Sequence, residues 1–138
     1  MFQLILAGAA GVALATQPTN GPVVTPVITT TETMSGQTIE VPAHPKVIVT
    51  IAVIPPGGIL PVHKHPYARY GYLLEGELTA TMLASGKHLM FKQGDVLIES
   101  RGEWHSAVNT GNVPAKLLVI DQVPHNVKSN VIAKDAAP

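Results

Sequence analysis

The chain has 138 residues, 46% of them hydrophobic and 13% charged, which suits one domain with its own core and excludes an intrinsically disordered chain. Nine Lys and Arg balance nine Asp and Glu, and no basic cluster interrupts that balance, so nothing points to a nucleic-acid surface. Cysteine is absent, which removes a disulfide framework, a thiolate zinc site and a cysteine nucleophile.

Residues 1–15, "MFQLILAGAAGVALA", carry no charge and end on the small-residue pattern Ala13 to Ala15. They resemble the apolar region and cleavage site of a secretory signal peptide, although the positive n-region is missing. The expectation is export to the periplasm or secretion. The alternative is an apolar N-terminal helix packed on the domain or on a partner, in a cytoplasmic protein. The stretch is too short for a stable membrane span, which takes roughly 20 apolar residues. Residues 16–22, "TQPTNGP", read as a linker.

From Val23 onward the chain reads as β-structure. "VVTPVITTTET" is β-branched and carries Pro26, which predicts an edge strand, and "QTIEVP" follows the Ser35-Gly36 turn. "KVIVTIAVIP" predicts a long, well-buried strand over Lys46 to Pro55. "ILPVHKH", "RYGYLLEG", "ELTATMLA", "KHLMFKQ", "GDVLIES", "EWHSAVN" and "AKLLVIDQV" continue the series, divided by turn signals at about 8–12-residue spacing. The pattern predicts one all-β domain, a sandwich or barrel, over residues 23–125, with 126–138 as a loose polar tail.

Of the histidines, His44 and His125 fall in loops and His88 follows a hairpin turn. His63 and His65 stand two apart on one strand, so both imidazoles share a face. His105 lies 40 residues beyond His65, in "RGEWHSAVN". Imidazole suits zinc, copper, iron, manganese and nickel without distinguishing among them, and three such ligands leave room for water or substrate. The spacing alone is suggestive, because a sheet brings many distant residues together.

Two blocks resemble the paired motifs of the cupin superfamily. Gly57, His63, His65 and Gly76 stand at the spacing of its first motif. Gly94, Gly102, His105 and Asn109 stand at the spacing of its second, with Ser100 in place of the usual proline. The resemblance covers roughly residues 46 to 122. It implies a single-domain cupin β-barrel, a double-stranded β-helix or jelly roll, with His63, His65 and His105 as ligands of a divalent transition metal inside. It also implies a homodimer, to which the Thr/Val-rich N-terminal segment could add a strand.

One position departs from the family. Arg69 stands where the motif has a glutamate ligand, and a guanidinium offers only donors and stays protonated. Three arrangements follow. In the first, Arg69 faces a three-histidine metal site and orients a small anionic or carboxylate-type ligand, with Tyr67 as its inward neighbour. In the second it turns to a carboxylate at the rim, such as Glu75, Glu77 or Glu99. In the third it weakens metal binding until the barrel takes organic ligands only. The resemblance implies a small-molecule, dioxygenase-type oxidoreductase. The alternatives are a non-catalytic ligand- or metal-binding barrel, and a lyase or isomerase on the same scaffold.

Overall fold

A computed structural model describes residues 20–135, so the signal-peptide-like residues 1–15 lie outside the described part. The chain forms the expected all-β jelly roll. Its strands are β1 (Lys46–Ile54), β2 (Ile59–Lys64), β3 (Arg69–Glu75), β4 (Glu77–Met82), β5 (His88–Lys92), β6 (Val96–Glu99), β7 (His105–Val108), β8 (Ala115–Val123) and β9 (Ile132–Ala133). They build two antiparallel sheets, one in the order β1-β8-β3-β6 and the other β5-β4-β7-β2-β9. No helix among the described residues is long and apolar enough to cross a membrane.

Period-two alternation decides which side chains meet between the sheets. On β8 it is complete: Ala115, Leu117, Val119, Asp121 and Val123 are buried, while Lys116, Leu118, Ile120 and Gln122 face outward. Leu73, Leu78, Leu97 and Leu117 meet Ile54, Ala115 and Val119 to form the core. Register then stacks the inner face of the first sheet in rows. One row runs Ile48, Asp121, Arg69, Glu99, and the next runs Thr50, Val119, Gly71, Leu97. The second row is apolar beyond Thr50; the first carries three charged side chains in line.

Three expectations need correction. Residues 23–42 form no strand beyond an isolated bridge between Glu32 and Thr38. Val23, Val24, Val27 and Ile28 are exposed, and this β-branched stretch pairs with no described strand. β1 is long but not well buried, because it is a sheet edge and Val47, Val49, Ile51 and Val53 point outward. The polar C-terminal stretch is not all loose. Ile132–Ala133 pairs with β2 through His63 and Lys64, and Asn130 is buried with 1% exposure.

Gly76, which closes the β3–β4 hairpin, has φ of 75°, in the left-handed region that favours glycine. A Cβ there would lie 2.8 Å from the Pro114 carbonyl oxygen and 2.9 Å from Ala115 Cα, both backbone atoms. Gly76→Ala therefore combines a strained dihedral with a clash that no rotamer relieves. The expected cost is on the order of 1–3 kcal/mol, read as a lower urea midpoint at unchanged slope.

Candidate metal centre

The three histidines reach one point from two strands. His63 is directly opposite His105 in the β2–β7 pair, and their ring centroids are 4.4 Å apart. His65 follows the end of β2, held by a parallel bridge to Arg101 and by the Gly102 N–H donating to its carbonyl at 2.8 Å. Gly102, with φ of 72°, is the glycine of the second motif, so this bond ties the two motif blocks together.

The opposing sheet supplies a fourth group. Glu99, the last residue of β6, projects between the sheets, and its Oε2 lies 2.9 Å from Nε2 of both His65 and His105. His63, His65, Glu99 and His105 offer donor atoms that all lie within 4.8 Å of one another, a group that can hold a metal ion. The carboxylate missing at position 69 thus stands at position 99, directly across the β3–β6 pair from Arg69.

Arg69 lines the same cavity, but its charge is met on its other flank. Nε donates to Asp121 Oδ1 at 2.8 Å and Nη2 to Asp121 Oδ2 at 2.9 Å, a two-pronged pair. Asp121 is the β8 residue opposite Arg69. Of the three arrangements open to the arginine, the structure shows a carboxylate partner, and that partner is Asp121 rather than Glu75, Glu77 or Glu99. Tyr67 is not among the residues lining the cavity. The chain leaves the strand at Pro66 to Ala68, so the parity that would have aimed Tyr67 inward is reset before β3 begins. Trp104 sits beside a separate surface depression, with the Lys64 ammonium 4.5 Å from its ring centroid.

Each imidazole is anchored through Nδ1 to a backbone carbonyl: His63 to Pro61 at 2.6 Å, His65 to Asn130 at 2.6 Å, His105 to Glu103 at 3.0 Å. Such a bond places the proton on Nδ1 and leaves Nε2 as the free lone pair. For His65 and His105 both ring nitrogens then face acceptors, which a neutral imidazole cannot satisfy. Each site needs either a second proton or a cation between Nε2 and Glu99. A divalent metal answers that need for both rings at once, so the donor set fits one.

Asn130 organises the far side. Its side-chain Nδ2 donates to Asp121 Oδ1 at 2.7 Å and to the Tyr67 carbonyl at 3.0 Å, and its Oδ1 accepts from the Tyr67 N–H at 2.9 Å. One residue of the C-terminal segment therefore touches both the Arg69–Asp121 pair and His65. Nothing in the short stretch "KSNVIAK" singled it out.

Residues 50–121 match the Cupin domain family. The chain belongs to the cupins. Similar proteins include the tetracenomycin polyketide synthase protein TcmJ of Streptomyces glaucescens, 34% identical over 64 residues, which are 46% of this chain and 42% of that one. The match therefore covers less than half the length of that curated relative. Among solved structures, the polyketide cyclase RemF of Streptomyces resistomycificus superposes with a TM-score of 0.55 at 22% identity, covering 69% of this cupin and 64% of RemF. A predicted oxalate decarboxylase of Thermotoga maritima superposes with a TM-score of 0.50 at 32% identity, covering 56% and 66%.

Burial in this cupin pushes Glu99 toward the neutral acid, but hydrogen bonds from His105 and His65 and their charges outweigh it and hold the carboxyl far below its usual range. Burial lowers His105, and the bond to Glu99 more than restores it, so its value lies above the ordinary 6.5. In metal-free protein the pair therefore stabilises fully between the ordinary values of about 4.5 and 6.5. Its contribution fades as pH falls toward the depressed value of Glu99, and as pH rises through the raised value of His105. With chelator present, the gap in melting temperature between wild type and Glu99→Gln should be widest inside that window and narrow on both sides. His63, lowered chiefly by burial, titrates in both proteins and largely drops out of the difference. A gap that does not vary with pH would contradict the pairing.

Proposed function

We propose that this cupin is a metal-dependent, dioxygenase-type oxidoreductase acting on a small molecule. His63, His65, His105 and Glu99 hold one divalent transition metal. The observation that carries the reading is the pair of imidazoles, His65 and His105, whose ring nitrogens all face acceptors. A bound metal would supply Lewis-acid and electron-transfer chemistry beside the cavity that His63, Glu99 and His105 line. The chain's own part is to orient the three rings through backbone carbonyls and to keep water out with an apolar wall.

The cavity lining favours this over a lyase or isomerase. Among the described residues, the titratable side chains that line it are His63, Glu99, His105 and Arg69. The first three are the metal's donors and the last is paired with Asp121, which leaves no separate general acid or base. The named activities of relatives differ: TcmJ is named for a polyketide synthase, and the Thermotoga protein is named a predicted oxalate decarboxylase.

Protein purified without added metal should carry about one equivalent of a transition metal. His63→Ala, His105→Ala and Glu99→Ala should each lose most of it, on the order of 10-fold or more, by elemental analysis. Full metal content in Glu99→Ala, with loss in both histidine variants, would remove the carboxylate from the ligand set. Oxygen consumption by the loaded protein with a flavonol and diketone panel separates the oxidoreductase from a barrel that only binds.

We further propose that two copies pair through the outward face of β1, where Val47, Val49, Ile51 and Val53 are 50–62% exposed on an open edge. The exposed valines of residues 23–27 would extend that contact onto the partner. Ile51→Lys should shift the light-scattering mass from dimer to monomer and leave metal content unchanged. A monomeric wild type would refute this. Export to the periplasm or medium is proposed from residues 1–15 alone, and N-terminal sequencing of the mature protein tests it.

A further inference from the structure

The metal reading says nothing of what else enters the cavity, and the charges and walls around the donors do. We propose that the cavity selects a largely apolar molecule with one polar head group, such as an enolate, bearing at most one negative charge, and disfavours small dicarboxylates. The proposal rests on the metal site above.

Charge sets the first limit. With neutral imidazoles, a divalent ion beside Glu99 keeps one unit of positive charge. Arg69 adds nothing to it, because Asp121 accepts both prongs of the guanidinium, and the Asp121 carboxylate is itself fixed by Asn130. The site therefore matches one negative charge and no more. A second carboxylate on the ligand would find no free cation among the lining residues, and burying it unpaired is unfavourable.

Shape and surface set the second limit. The cavity holds about 250 Å³, the space of roughly eight water molecules at ~30 Å³ each. Beyond the metal donors and Arg69, its wall is aliphatic: Leu60, Leu78, Leu97, Leu117, Val119 and Val131 face it, with small Ala52, Ala80 and Ala107 opening the space between. A two-carbon dianion would wet that wall rather than fill it. An aryl or alkyl ketone that enolises would put its oxygen at the metal and its hydrocarbon body against the leucines.

The test is competition calorimetry on metal-loaded protein, with benzoylacetone, an aryl β-diketone, against oxalate, and metal content checked after titration. Benzoylacetone should bind at least 10-fold more tightly. Ala52→Leu, two register rows from Glu99 across the sheet, should weaken benzoylacetone by a similar factor and leave metal content and oxalate affinity unchanged. Oxalate binding as tightly or more tightly overturns the inference and leaves the metal site standing, as does binding of neither. Protein that takes up no metal overturns the reading beneath it. The wild-type ranking decides even if the variant folds poorly.

Discussion

The Glu99 carboxylate, shared at 2.9 Å by His65 and His105, is the contact on which the rest of this barrel's chemistry depends. It joins the two sheets at a point where both would otherwise bury unpaired polar groups. An imidazole and a carboxylate are each costly between apolar layers, and each becomes tolerable only because the other is there. The leucines around them fold the barrel, but they do not say where in it the polar atoms must sit. Glu99 does, because β6 is only four residues long and ends on it.

Around that contact the chain alternates charge in space. Asp121, Arg69 and Glu99 lie side by side on three neighbouring strands, so the cation sits between two acids. Asn130 secures one end through Asp121 and, through its carbonyl, the His65 ring on the opposite sheet. The C-terminal segment thereby closes a loop of hydrogen bonds that runs across both layers. It is held there by a buried amide more than by its two-residue strand.

Much of this was legible in the chain itself. β-branched runs and the regular spacing of turn signals predicted the all-β domain, and parity put His63 and His65 on one face. What local pattern could not give was the neighbour across a strand pair. Arg69 was visible as a departure, while its two partners lie 30 residues away on β6 and 52 residues away on β8, and only register brings them together. Glu99 could have been suspected from its place six residues before His105, since an acid ending the otherwise apolar strand "VLIE" is costly to bury without a purpose. The N-terminal strands were misjudged for the opposite reason. Composition reports what a segment tolerates, and residues 23–42 join neither described sheet.

The acid–base–acid row also constrains how such a site can change over generations. Restoring the family's glutamate at position 69 by one substitution would put three carboxylates abreast on adjacent strands, with no cation between them. Losing Glu99 first would leave two histidines without their counter-charge. The two forms of the site, with the carboxylate on β3 or on β6, are thus separated by a barrier that no single step crosses comfortably. Positions 69, 99 and 121 are expected to be inherited as a set. A motif filter that inspects position 69 alone would overlook the carboxylate that stands one strand sideways, at position 99.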